Sequence, residues 1–384
     1  MKKNKFLIII PLLVIIFSFF ITGIKNSDIV ENMEIVAGLG SDVEYKTPGS
    51  VSYSIPLSTY IFRGISGDDE NVKVSSTVRK GVGKTLGQTR ENRQSKADKK
   101  TILGFEKVYI VSESSAAYGL EPIVDILFKN PQLNDTGYFA ICRGKAEDML
   151  SHKVEGYPSS SDFIEGLLKN EFNYSFFPKN IKITDLYTSL YVEGTNPVVP
   201  YIETNGDNIE VSGMALFKNG KMVAKSNFDD SKWLNLMRDN KVCGIVSLQK
   251  DSRNYADLYA NSFRKVNVDK IHGKLHFTIN LKLKGSVITN TYFKDISKNE
   301  SAKRAFEEKI GEKVHRNCCS VINKMKTEYK TDCLGLGKYA AAKYGRWSNV
   351  DWDKEVLDSS IDVNVKVSIE NWGRGSFEKN SREQ

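Results

Sequence analysis

The chain has 384 residues, 40% of them hydrophobic and 27% charged, which suits a folded protein and excludes a disordered one. Its net charge is +8, but Lys2, Lys3 and Lys5 supply three of those charges, and the +5 left for the body is too slight to argue for nucleic acid. Five cysteines (Cys142, Cys243, Cys318, Cys319 and Cys333) are odd in number and irregular in spacing, which excludes a disulfide framework; most are read as small buried hydrophobes.

The first element is a run of nineteen apolar or weakly polar residues, Phe6 to Ile24, directly behind Met1-Lys2-Lys3-Asn4-Lys5. Lysines followed by a greasy segment have the charge order of an export signal or an N-terminal anchor, with the body on the outer face of the membrane. As a helix the run reaches about 28 Å, close to the ~30 Å hydrocarbon core and longer than a cleavable signal usually needs. Ile21-Thr22-Gly23-Ile24 has the shape of a bacterial lipoprotein box except at its last position, where Ile24 cannot carry a lipid. We read Phe6–Ile24 as an uncleaved anchor rather than a signal cut after Gly23.

Glu34–Asp42 and Val51–Phe62 read as strands, with Pro56 placing the second at an edge or bulge. The stretch Arg79–Lys100 concentrates eight Lys or Arg against Glu91 and Asp98 and shows little apolar periodicity. It reads as an exposed helix or charged loop that can lie against anionic headgroups through Arg90, Arg93, Lys99 and Lys100. Val108–Val111 and Tyr138–Cys142 read as buried strands, and Ala117–Phe128 as a helix with Pro122 in its first turn. Ser159–Ser161 offers an N-cap for a helix through Asp162–Asn170, and Ile183–Val192 reads as a further helix. Pro197 and Pro200 then impose extended chain, and the polar stretch Glu203–Asn208 reads as the main boundary.

Beyond it, Asn219-Gly220 between Gly213–Phe217 and Lys221–Lys225 signals a hairpin. Asp230 or Ser231 is expected to cap a helix carrying Trp233, Leu234 and Met237. Ile271–Leu283 alternates, with Ile271, Leu275, Phe277, Ile279, Leu281 and Leu283 on one face. A long amphipathic helix is expected over Glu300–Lys330 and a second alternating strand over Ile361–Ile369. Strands with one apolar face and helices to cover them define an α+β fold in two or three domains with antiparallel sheets flanked by helices. The expected partition is 1–24 anchor, 25–202 and 209–375 α+β domains, and a disordered tail at 376–384.

Little in the chain carries recognisable chemistry. Gly81-Val82-Gly83-Lys84-Thr85 resembles a phosphate loop but has Val78 where the first glycine belongs, so a flexible basic turn is the expected structure. His272 and His276, read on one strand face, would lie about 13 Å apart, too far to share a zinc. His152 and His315 have no nucleophile beside them, and the motifs of zinc proteases, zinc ribbons and serine hydrolases are missing. No catalytic, cofactor or metal residue is assigned, and a non-enzymatic protein is expected. Gly335 and Gly337, after the long helix and before Tyr339–Tyr344, are assigned to a tight structural corner.

Several segments, in order, carry a resemblance. They are Ile35-Val36-Ala37-Gly38-Leu39-Gly40-Ser41-Asp42, Val108-Tyr109-Ile110-Val111-Ser112-Glu113, the helix with Gly119, Leu120 and Asp125, and Gly144-Lys145-Ala146. Glu193-Gly194-Thr195-Asn196-Pro197-Val198-Val199-Pro200, Asp332-Cys333-Leu334-Gly335-Leu336-Gly337, Tyr344, Trp347, Trp352 and the terminal strand ending at Gly373 complete the set. Over nearly its whole length the chain resembles the Ger(x)C family, the C subunit of bacterial spore germinant receptors. Ile24 stands where that family's lipid-bearing cysteine would be, and Lys25 replaces its usual tryptophan. The resemblance implies an α+β protein with no known catalytic activity, acting beside a polytopic A subunit and a permease-like B subunit in the inner spore membrane. A retained transmembrane helix would replace the missing lipid. Two other classes fit the composition: an exported solute-binding protein with a ligand pocket, and a cell-envelope hydrolase with paired carboxylates.

Overall fold

The computed structural model describes residues 33–47, 50–63, 73–178, 181–294, 296–346 and 349–372. The expected anchor Phe6–Ile24, Trp347 and the expected tail at 376–384 lie outside them. No helix among the described residues is long and apolar enough to cross a membrane.

The first sheet is built from β1 (Met33–Thr47), β2 (Ser50–Arg63), β3 (Lys73–Gly83), β4 (Lys100–Ile102), β5 (Val108–Ser112), β6 (Tyr138–Cys142), β7 (Val198–Asn205), β8 (Asn208–Lys218) and β9 (Lys221–Asn227). Its order is β3-β2-β1-β5-β6-β7-β8-β9, with β4 pairing the start of β1. The centre, β1-β5-β6-β7, is parallel and the flanking pairs are antiparallel. Parallel strands carry helices on both faces, which is why β5 and β6 are apolar at nearly every position instead of alternating. Tyr109, Val111, Phe139 and Ile141 meet Leu120, Ile123, Leu127 and Leu186 on one face. Val108, Ile110, Ala140 and Cys142 meet Met149, Leu150, Ile164 and Leu168 on the other.

The helices of this half are α1 (Leu86–Gln94), α2 (Glu113–Tyr118), α3 (Glu121–Lys129), α4 (Ala146–Ser151), α5 (Ser160–Asn170) and α6 (Ile183–Tyr191). The second half begins with α7 (Phe228–Arg238) and a four-stranded sheet, β10 (Cys243–Gln249), β11 (Tyr255–Ile271), β12 (Lys274–Asn290) and β13 (Ser360–Asn371), paired in that order. Between β12 and β13 run α8 (Glu300–Lys324), α9 (Gly337–Tyr344) and α10 (Trp352–Asp358). Phe306, Ile310, Val314, Cys318 and Val321 recur on α8 at steps of three and four and are all buried. The molecule is α+β, with sheets flanked by helices and one apolar cluster running from the first sheet into the second.

Several expected elements take a different form. Ala117–Phe128 is two helices, broken at Gly119 (φ 140°), and Pro122 sits in the first turn of α3. Asn227, not Asp230 or Ser231, caps α7, its side-chain oxygen accepting from the Asp230 N–H at 2.7 Å. Ile271–Leu283 is not one strand: His272 (φ 49°) and Gly273 (φ 81°) form the turn of the β11–β12 hairpin. Both residues with positive φ describe a two-residue hairpin turn. The long helix is α-helical only to Lys324; Met325–Tyr329 is a π turn closed by the Lys330 N–H on the Met325 carbonyl. Glu203–Asn208, read as a boundary, forms the β7–β8 hairpin, whose strands share the first sheet.

The basic stretch Arg79–Lys100 is ordered too. The end of β3 leads into α1, whose N-cap Thr85 accepts from the Gln88 N–H. A Cβ on Gly81 would lie 1.8 Å from the Thr89 carbonyl oxygen, so glycine lets α1 fold back onto its own strand. The flexible turn expected over Gly81–Thr85 is instead a strand end and a capped helix start.

Candidate functional site: the seam between the two sheets

The carboxyl ends of parallel strands are where open α/β sheets usually hold ligands. Here the chain occupies that edge itself. Asp42, at the end of the β1–β5 pairing, is buried and accepts from the N–H groups of Ala146 at 2.7 Å and Glu147 at 3.1 Å, which caps α4. Burial raises its pKa, opposed by these two bonds. Ser41, Ser112 and Ser115 bond to one another, and Tyr201 donates to Glu113 at 2.5 Å. Lys225 bridges to Glu203 and covers the Tyr201 ring.

The more distinctive cluster is where the two halves meet. From the first half come the loop Glu193–Asn196 and the β8–β9 turn; from the second come Thr331–Gly337, Trp352, Asp353 and Arg238. Asp353 Oδ1 accepts from Asn196 Nδ2 at 2.7 Å and the Asp332 N–H at 2.6 Å, and lies 3.1 Å from Thr331 Oγ1, whose single proton it shares with the Phe217 carbonyl. Its other oxygen pairs with Lys218 at 2.8 Å. Thr331 also accepts from Asn196 at 3.1 Å and donates to the Phe217 carbonyl at 2.8 Å. Arg238 reaches across the seam, donating to the carbonyls of Cys333 at 2.8 Å and Asn196 at 2.9 Å. Trp352 donates its indole N–H to Glu193 at 2.9 Å.

Gly335 and Gly337 belong to this seam. Gly335 has φ 63°, a left-handed conformation that glycine adopts without penalty. Gly337 opens α9 against Gly194, and a Cβ on it would fall 2.8 Å from the Gly194 carbonyl oxygen. Asp332 ties the corner, its carboxylate accepting from the N–H groups of Leu334 at 3.0 Å and Gly337 at 2.8 Å. Burial raises the pKa of Asp332, against these bonds and the nearby Arg238.

This arrangement fastens and orients. Cys333, the thiol in the seam, is fully buried, and that burial raises its pKa, which leaves little thiolate. His272 lies in the hairpin turn while His276 bonds Ser360 at 2.7 Å, so the two share no strand face. His315 contacts the Val363 carbonyl at 2.9 Å and His152 the Asp207 carbonyl at 3.0 Å. Four of the five cysteines are buried and Cys319 is exposed. No group of three His, Cys, Asp or Glu among the described residues is placed to hold a metal. Asp353, Thr331 and Arg238 carry no motif of their own. Only the two glycine-bearing segments that flank them marked the place in the sequence.

Fold and seam together define a two-part α+β body whose most elaborate polar cluster serves its own architecture. Residues 26–204 match the profile of the spore germination protein N-terminal domain, and residues 212–373 that of the spore germination B3/GerAC-like C-terminal region. The chain belongs to the Ger(x)C family of spore germination proteins. It is 24% identical over 363 residues to the spore germination protein GerQC of Bacillus cereus, covering 93% of this chain and 97% of that one. It is 20% identical to spore germination protein B3 of Bacillus subtilis (strain 168), with 90% and 92% covered. The crystal structure of the GerBC protein superposes with a TM-score of 0.57 at 16% identity, over 87% of this chain and 97% of that one, a likeness of fold.

Proposed function

We propose that this protein is the non-enzymatic C subunit of a nutrient-responsive germinant receptor, held at the inner spore membrane by an uncleaved helix over Phe6–Ile24. It assembles there with A-type and permease-like B-type subunits. One observation carries the reading. The two glycine-bearing segments that carry the family resemblance, Glu193–Pro200 and Asp332–Gly337, lie more than a hundred residues apart and pack on one another. Residues that would be spent on a reaction in an enzyme here set the angle between two sheets, as suits a subunit that presents a fixed surface to partners. Gly335 and Gly337 are the structural corner of that seam, and the two domains, 25–202 and 209–375, which share the first sheet through β7 and β8, act as one body.

The test is genetic and biochemical together. Spores lacking the gene, in a strain without a sister receptor, should fail to germinate with at least one nutrient while vegetative growth is normal. The tagged protein should co-purify from detergent-solubilised spore membranes with the A and B subunits. Spores that answer every nutrient normally would overturn the proposal.

A further inference from the structure

A groove of about 350 Å³ opens between α7 and α8, beside β10. Lys313, Asn317 and Ser320 line it at steps of four and three, which puts them on one face of α8. Lys232, Trp233 and Asp229 line it from α7. Lys313 Nζ is fixed at the wall, donating to the Ser247 carbonyl at 2.7 Å with two further protons to give.

Lys232 is the unmatched member. It is half-buried and has no ion-pair or hydrogen-bond partner among the described residues, yet its ammonium is open to solvent. Burial lowers its pKa; Lys313 adds to this, and Asp229 and Glu171 oppose it. Two ammonium groups therefore share one polar groove, near enough to repel each other, and an anion between them relieves that repulsion. Of the two acids in the lining, Asp230 is already paired with Lys324 at 2.6 Å. Asp229 is exposed and has no such pair among the described residues.

We propose that this groove binds a phosphorylated polyol, with the phosphate on Lys232, Lys313, Asn317 and Ser320 and the hydroxyl-bearing body toward Asp229 and Trp233. Charge and size narrow the class. Lysines act as point charges that suit phosphate, and no arginine fork for a planar carboxylate is among the described residues that line the groove. Asp229 accepts hydroxyl protons but repels a second anionic group, so the ligand carries its charge at one end. A cavity of ~150 Å³ accommodates benzene, so one more than twice as large takes a six-membered ring together with its phosphate. Trp233 and Val246 give that ring an apolar wall. The site does not depend on the receptor reading, and binding tests it separately from germination.

The experiment uses the full chain in detergent with glucose 6-phosphate as probe, followed by phosphorus NMR and by the thermal midpoint. Saturable broadening of the phosphorus signal and a raised midpoint are expected. Glucose and inorganic phosphate should each bind at least about tenfold more weakly. Lys232→Gln should weaken binding of the phosphoester by at least about tenfold. Asn317→Asp keeps the shape of the side chain and sets a negative charge against the phosphate, so it should abolish binding while melting near the wild-type temperature. The comparison of the three probes decides the matter on the wild-type protein even if a variant folds poorly. No saturable signal up to tens of millimolar, or wild-type binding by a folded Asn317→Asp protein, overturns the site. Binding of inorganic phosphate or of glucose as tight as that of the phosphoester overturns the ligand class.

Discussion

Glycine does opposite things at three positions of this chain. At Gly337 a Cβ would meet the Gly194 backbone, so even alanine forces the seam apart. At Gly335 an added Cβ would make only an ordinary contact with Arg238 at 3.6 Å, but φ is 63°, so the constraint is conformational. At Gly311, inside α8, the nearest atom to an added Cβ is 3.7 Å away, an ordinary contact. Gly337→Ala is therefore expected to destabilise by about 1–3 kcal/mol through overpacking, and Gly337→Val by more, with a lower folded yield. Gly335→Asn should be close to neutral, because asparagine tolerates left-handed backbone, whereas Gly335→Val should cost about 1–3 kcal/mol. Gly311→Ala should stabilise by about 0.5–1 kcal/mol. Urea midpoints of the five variants check these expectations. Tyr60 supplies a pH prediction. Burial, then its bond to Asp162, raise its pKa from 10 to about 12. Because the folded value is the higher, this stabilisation is complete below pH 10 and is lost as pH rises through about 12. Tyr60→Phe should flatten the alkaline side of the stability profile in that window, read by denaturant melts across the range.

At the scale of elements, β13 shows how an edge is closed. It pairs with β12 on one side only, and α8 lies along the other. Glu307 accepts from the Ile369 N–H at 2.9 Å, and His315 contacts the Val363 carbonyl. Side chains of the helix thus hold backbone groups that an edge strand would offer to another chain. Glu307→Ala should lower the stability by no more than about 1 kcal/mol while raising light scattering at high protein concentration. Elements with strong apolar runs, such as β5, β6 and α5, are legible in the sequence because burial on one or both faces dictates their composition. The β11–β12 turn is hidden for a physical reason. The two-residue turn at His272–Gly273 pairs Ile271 with Lys274 and moves the buried positions from even to odd numbers, so Ile271 lies on the face opposite Leu275 and is half exposed; being apolar, it lets the alternation read straight through the turn. The break at Gly119 is hidden likewise, since Leu120, Ile123, Val124 and Leu127 continue a helical stripe directly after it. The seam was the least legible part. Asp353 and Arg238 look like surface charges on short helices, and only tertiary contact brings them to Asn196 and Cys333.

For the whole molecule, the seam decides whether the halves unfold together. Asp353→Ala would leave Asn196 and Thr331 short of an acceptor and strip Lys218 of its ion pair. Lys218 is a third exposed and can turn to solvent, so the loss is about 1–3 kcal/mol, mostly from the unmatched donors of Asn196 and the Asp332 backbone, and it falls at the interface of the halves. Calorimetry should therefore show one transition in the wild-type body and two in the variant. Attachment is tested at the same scale. If the proposed Phe6–Ile24 anchor is uncleaved, the protein should stay in spore membranes through an alkaline carbonate wash with Met1 present. A soluble chain beginning near Ile24 or Lys25 would disprove it. Ile24→Cys should create an acylation site that labelled palmitate reveals.

The parallel pairing of β12 with β13 has a kinetic side. His276 and its partner Ser360 are 84 positions apart, and the intervening chain carries α8, the π turn, the Asp332 corner, α9 and α10. Contacts so distant along the chain are closed late, after the entropy of a long loop has been lost. A ribosome pausing anywhere between Asn290 and Ser360 would leave β12 with one side unpaired and the apolar stripe of α8 without the strand it packs on. The second sheet is therefore complete only once the last strand is made. A product truncated before Ser360 lacks the strand that closes it and exposes sticky surface to chaperones and proteases, so shortened subunits would be removed before they could compete for a place in an assembly.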